Sequence, residues 1–261
     1  ASGSQKLYRN NLIGTGTMTY TDISGDLPSG LGPSWSAAWG DYNGDGNVDV
    51  FVGQSNIGTS GDVLRNNGAL GFSNESTSAG LNDPGFHQNI AWGDVDGDND
   101  LDLIFGMEGP EKHEIYIQGP AGSFTPVGAA VGFQEDFGSK AYGMALGDTD
   151  GDGDLDIYIS TCHGSGPIRN NFYNTYGSEF VDFDDDGDLD LYVTGADGVA
   201  TKIYRNDGGN QFTDVDTITG HALLSDNSGD LNGGKAVDYD NDGDLDLFFH
   251  DHKINVGKNQ A

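Results

Sequence analysis

The chain has 261 residues and a formal net charge of −31, from 42 acidic against 11 basic side chains, with 43 glycines and a single cysteine. A surface of that sign excludes nucleic acid and anionic membranes as electrostatic partners, one cysteine excludes an internal disulfide framework, and no apolar run reaches the roughly 20 residues of a membrane-spanning helix, so no membrane insertion is expected. No long segment carries apolar residues at helical spacing, and Gly, Asn and Asp interrupt every window, so the expected class is all-β.

In chain order, residues 7–23 read as two short strands around a polar, glycine-containing turn. A short strand at 37–39 then enters an acidic stretch at 41–49 (DYNGDGNVD), and 50–52 leaves it, followed by VLRNN and GFSNES. The same order returns with NIAWG, the stretch 94–102 (DVDGDNDLD), LIFGM, EIYIQ and SFTPV. A third copy runs GMALG, 148–156 (DTDGDGDLD), IYIST and PIRNN. A fourth runs SEFV, 182–190 (DFDDDGDLD), LYVTG, KIYRN and QFTDV, and a fifth GKAV, 238–246 (DYDNDGDLD), LFFH and KINV.

More than half of the acidic residues fall in these five nine-residue stretches. Carboxylates at positions 1, 3, 5 and 9, with Gly or Asn at position 6 where the backbone turns sharply, are what a hard, oxygen-seeking cation such as Ca2+ needs. An EF-hand would place a bidentate Glu at position 12 and continue into a helix. Position 12 here is Val52, Phe105, Ile159, Val193 and Phe249, and each stretch runs into β-branched and aromatic residues, so each loop feeds a strand. A dockerin-type loop fails for the same reason. Without metal the clustered carboxylates repel, and a loosened or unfolded apo form is expected.

The loops recur about 53 to 56 residues apart, except for one interval of about 34 between the third and fourth. A period of that size holding four strands is a propeller blade, which predicts one domain over 1–261 built as a five-bladed β-propeller with a calcium loop in each blade. The short interval predicts a third blade without its outer strand. Residues 18–23 are expected to complete the fifth blade, so that an N-terminal strand closes the ring. The strand at 7–11 is then a spare, in competition with Ile254 and Val256, and invites strand exchange between subunits.

The combination LYRNN, FTDV and GDxDxDGDxDL resembles the FG-GAP/VCBS repeat, the unit of the integrin α-subunit head, over roughly residues 7–259. The resemblance implies a β-propeller with Ca2+ held between the first two strands of each blade. It implies as side-chain ligands Asp41, Asn43, Asp45 and Asp49; Asp94, Asp96, Asp98 and Asp102; Asp148, Asp150, Asp152 and Asp156; Asp182, Asp184, Asp186 and Asp190; and Asp238, Asp240, Asp242 and Asp246. Position 7 (Asn47, Asp100, Asp154, Asp188, Asp244) would give its backbone carbonyl. Asn43 replaces a carboxylate and makes the first loop the weakest, and Asn99 replaces the turn glycine of the second.

Loops of this kind bind usefully where calcium is millimolar, so the expected location is secreted or extracellular. The expected role is non-enzymatic recognition or adhesion, with a glycan, or else a protein, outside the cell as ligand. Trp35, Phe86, Tyr142 and Tyr176, each just ahead of an inner strand, are the candidate ligand-binding aromatics, whereas Trp39 and Trp92 read as core. The alternative is a structural subunit that self-assembles by strand exchange, and a polysaccharide-active enzyme ranks below both. No HExxH or GxSxG motif is present, and Cys162, His163 and the other histidines form no regular ligating pattern. Asn74-Glu75-Ser76 is an acceptor sequon in a eukaryotic host.

Overall fold

A computed structural model of the chain describes residues 5–251 apart from 57, 82, 110–111, 121, 134–138, 164–174, 196–200, 210 and 216–230. The chain is all-β, built of antiparallel sheets that divide into two compact units, Ala1–Asp94 with Asp98–Glu135, and Val95–Gly97 with Asp136–Ala261.

The first unit opens with β1 (Tyr8–Asn10), a helical turn α1 (Leu12–Thr15) and β2 (Tyr20–Asp22). It continues with β3 (Ser34–Gly40), β4 (Asp49–Gln54), β5 (Asp62–Asn66) and β6 (Phe72–Asn74), paired in that order. A second antiparallel set follows, β7 (Phe86–Gly93), β8 (Asp102–Glu108), β9 (Glu114–Gly119) and β10 (Ser123–Pro126), with the helical turn α2 (Gly128–Val131) behind it. Each acidic stretch of this unit is thus the hairpin loop between the first two strands of a four-stranded set.

The strands after the first, second and fourth loops are buried on both faces, which is why they read as unbroken apolar runs rather than alternations. All six residues of β4 are buried. Side chains alternate along it, so one residue step moves from one core to another. Phe51 packs with Val63 of β5 against Leu103, Phe105 and Tyr116 of β8 and β9, its ring 4.9 Å from that of Phe105. Val50 and Val52 turn the other way and pack with Leu64 under Leu27, Leu31 and Phe72. Each such large side chain contributes about 1.5–3 kcal/mol of burial.

The second unit holds β11 (Ser139–Gly147) paired to β12 (Asp156–His163), then β13 (Thr175–Val181), β14 (Asp190–Gly195), β15 (Lys202–Asn206) and β16 (Phe212–Asp214) in one four-stranded sheet, then β17 (Leu231–Val237) paired to β18 (Asp246–Asp251). The PIRNN and KINV strands expected from sequence, with Ile254, Val256, His221 and His252, lie outside the described residues.

Every inner strand carries a register shift just ahead of its loop, between Ser34 and Ser36, His87 and Asn89, Ala141 and Gly143, Thr175 and Ser178, and Leu231 and Gly233. A bulge there re-aims Trp35, Gln88, Tyr142 and Tyr176. Two expectations change. Residues 20–22 pair with β1 rather than leaving it as a spare strand, because the two segments form one hairpin. Trp39 is 52% exposed rather than core, although Trp92, its counterpart in the next repeat, packs against the main core.

Candidate functional site

The five loops share one scaffold of hydrogen bonds. The position-1 carboxylate accepts from the backbone N–H groups at positions 5 and 6, as Asp41 does from Asp45 (3.1 Å) and Gly46 (2.8 Å). Asp94, Asp148, Asp182 and Asp238 repeat it. The position-5 carboxylate accepts from the N–H at position 7, with Asp45, Asp98, Asp152, Asp186 and Asp242 bonded to Asn47, Asp100, Asp154, Asp188 and Asp244 at 2.9 to 3.0 Å. Position 6 is left-handed throughout, including Asn99 at φ 70°. Position 4 is left-handed too, and there Asp185 (φ 57°) and Asn241 (φ 60°) stand where the other loops have glycine, a requirement the sequence pattern did not disclose.

The position-9 aspartate joins the loop to the sheet. Asp49 and Asp190 accept from the backbone N–H of Asn66 and Asn206 at 2.7 Å, and Asp102 from Gln118 at 2.8 Å. Burial pushes the Asp49 and Asp190 carboxyls up from the ordinary carboxylate range, and the neighbouring loop aspartates push the same way. A cation would reverse that direction.

In the second unit the loops bring carboxylates together. Asp148, Asp150 and Asp152, then Asp182, Asp184 and Asp190, then Asp238, Asp240 and Asp246 each place oxygens within 4.8 Å of one another. An all-oxygen set of this density fits a hard divalent cation. Asp156 and Asp246 also accept from the position-2 N–H of Thr149 and Tyr239 at 3.1 and 3.2 Å. Asp96 groups with the second unit, whereas Asp94, Asp98, Asp100 and Asp102 belong to the first. The first loop differs: Asn43 donates its amide to Asp49 (3.0 Å), and Arg65 pairs with Asp45 at 3.1 Å. The protein's own guanidinium supplies there part of the charge a cation would bring.

The candidate aromatics pair off. Trp35, 60% exposed, lies 5.8 Å from Phe86 between ring centroids, and Tyr142 stacks on Tyr176 at 4.7 Å and 19°.

A polar cleft in the first unit, of about 400 Å³, was not anticipated. Tyr42, Asn43, Arg65, Glu75, Asp100 and Gln118 are among its lining residues, so the first and second acidic loops both contribute to its wall. Gln118 is buried, and its Oε1 has no hydrogen-bond partner; the Arg65 Nε is likewise buried without one. An unpaired buried acceptor and donor on one cleft are costly unless something fills them. The repeat explains the first: Asn206 and Asn66 occupy the position of Gln118, and their Oδ1 atoms accept the N–H of Gly208 at 3.1 Å and of Gly68 at 3.0 Å. Burial pushes the Tyr42 phenol up to about 12, so it remains a donor at neutral pH. The signal for the site was the departure of Gln118 from the Asn that follows Arg in LYRNN and KIYRN.

Sheets repeated around acidic hairpin loops define the chain as a β-repeat protein with an aspartate-rich loop in each repeat. The FG-GAP-like repeat model matches residues 42–105, 96–159 and 182–249, most of the chain, which belongs to the FG-GAP-like repeat family. No curated protein matches the sequence. Among solved structures, it is similar to a lectin of Agrocybe aegerita described for specific recognition of non-reducing terminal N-acetylglucosamine, at 18% identity and a TM-score of 0.46, over 80% of this chain. The chain spans 59% of that lectin's length. No helix among the described residues is long and apolar enough to cross a membrane.

Proposed function

We propose that the chain is a secreted, calcium-stabilised recognition module that binds glycans without catalysing a reaction. Its architecture in this reading is a five-bladed β-propeller, with Ca2+ at the acidic loops and the fifth blade completed from the N-terminal segment. The observation that carries the ligand class is the cleft with the unpaired Gln118 Oε1 and Arg65 Nε. A sugar offers hydroxyl donors to the first and acceptors to the second, and Tyr42 gives an aromatic surface beside them. Cation binding in the two loops would hold Asn43 and Asp100 in place at the wall, which couples recognition to calcium.

The test is a glycan array in calcium, followed by titration of the strongest ligand against Gln118→Leu and Trp35→Ala. Loss of one hydrogen bond to a buried acceptor costs about 1–3 kcal/mol, so Gln118→Leu should weaken binding about tenfold or more. Binding that survives Gln118→Leu and disappears in Trp35→Ala moves the site to the Trp35–Phe86 pair. A chain that binds no glycan with or without chelator overturns the recognition reading.

A further inference from the structure

We infer that the second unit holds a binding pocket for a single aromatic ring bearing a hydroxyl, in the slot that Tyr42 fills in the first unit and Thr149 leaves open. The inference is independent of the glycan reading, because this pocket and the Gln118 cleft share no residue.

The two slots are the same joint of the repeat, each inside its own unit. In the first unit β7–β10 present Trp92, Leu103, Tyr116 and Phe124, and in the second β13–β16 present Phe180, Leu191, Tyr204 and Phe212. The registers agree pair by pair: Trp92↔Leu103 with Phe180↔Leu191, Leu103↔Tyr116 with Leu191↔Tyr204, and Gln118↔Phe124 with Asn206↔Phe212. The opposing strand corresponds as well, since Phe51 is opposite Ala38 and Tyr158 is opposite Ala145. The approach is equally close in both. A Cβ on Gly40 would stand 2.9 Å from the Trp92 ring and 3.1 Å from Leu101, and one on Gly147 would stand 3.2 Å from the Phe180 ring and 2.8 Å from Leu189.

What differs is the second residue of the loop. In the first unit Tyr42 stacks on Trp92 at 6.0 Å and 9° and lies 6.0 Å from Phe124, which is only 5% exposed. In the second unit the residue is Thr149, and a hollow of about 420 Å³ opens, with Thr149, Tyr158, Phe180, Leu191, Tyr204 and Phe212 among its lining. Phe212, at the position of Phe124, is 37% exposed. Thr149 cannot swing in to close the gap. Its hydroxyl donates to Asp156 Oδ2, its N–H donates to the same oxygen at 3.1 Å, and its carbonyl accepts the Asn206 amide at 2.6 Å.

The chain thus displays the occupant for which this joint is shaped, the phenol of Tyr42. A hollow of this size is in the range of small-ligand pockets, and its aromatic walls give a ring the edge and face contacts that the first unit makes internally. The polar groups favour a phenol over a sugar. Thr149 and Asp156 Oδ2 are spent on each other, so a pyranose with several hydroxyls meets few partners, whereas a phenol brings one. Burial pushes the Tyr158 phenol up, which keeps it a donor at neutral pH for that one hydroxyl.

The test is titration of the chain in calcium buffer with 4-methylphenol, the Tyr42 side chain as a free molecule, by saturation-transfer NMR, beside Thr149→Tyr and Phe212→Ala. A ring at Thr149 suits the loop, because Tyr42, Phe183 and Tyr239 stand at this position in three others, and Tyr239 keeps its N–H bond to Asp246 at 3.2 Å. Expected are saturable binding to the native chain, and a loss of about tenfold or more in affinity with a raised melting temperature in Thr149→Tyr. Phe212→Ala should bind about fivefold more weakly, and it decides the matter alone if Thr149→Tyr does not fold. A native chain without saturable binding overturns the inference, as does equal affinity in the native chain and the folded variants. Displacement of the phenol by methyl β-glucopyranoside overturns the ligand class and gives the slot to a sugar.

Discussion

His87 ties the core of the first unit to pH. The imidazole is fully buried, its ring 4.7 Å from Phe105 and 5.6 Å from Phe51. Its Nδ1 accepts the Gln54 N–H at 3.3 Å, and its Nε2 has no partner. Burial holds its pKa down to about 4 against the usual 6.5. The folded state therefore binds fewer protons than the unfolded state wherever pH lies between those values, so stability is fully present above the unfolded pKa and falls as pH drops. From the two constants, His87 alone should remove about 2 kcal/mol between pH 7.5 and pH 5, approaching about 3 kcal/mol below pH 4. Burial lowers the His113 pKa as well, which adds to the slope in the same direction. The assay is urea unfolding from pH 7.5 to 5 in saturating calcium, a window above the carboxylate range. His87→Asn keeps an acceptor for Gln54 and cannot titrate, so its stability should depend less on pH by that 2 kcal/mol. Equal slopes for wild type and His87→Asn would refute the reasoning.

Four further outcomes follow from the same geometry. Asn99→Gly relieves a left-handed position at φ 70° and should stabilise by about 0.5–1 kcal/mol, read as a rise in the melting temperature. Phe105→Ala, at a residue with no exposed surface, should cost about 3–5 kcal/mol in urea unfolding. Chelation should lower the melting temperature markedly. Asp190→Asn, which removes a charge from the 182, 184 and 190 group, should cut the calcium stoichiometry by one ion per chain in a titration.

What the sequence disclosed was whatever repeats. Loop positions and the strands on either side follow from local chemistry: an aspartate that must accept backbone N–H groups, a left-handed turn and, in the first, second and fourth repeats, a following strand buried on both faces. The outer strands were legible as LYRNN and FTDV because their register is fixed by a short turn and one Asx hydrogen bond. The bulges escaped notice, because a register shift leaves no mark on an alternating pattern until the partner strand is known. The cleft was hidden for a related reason. Gln118 looks like any strand glutamine until Asn66 and Asn206 reveal that the side-chain oxygen at its position normally accepts the N–H of the glycine two residues on.

The same comparison explains why Trp39 misled. Trp39 and Trp92 occupy one position of the repeat and have the same intrinsic drive to leave water, yet only Trp92 has a tyrosine stacked on it. Burial in a repeat protein is a property of the neighbour as much as of the residue, so a terminal repeat shows which surface every interior repeat has lost.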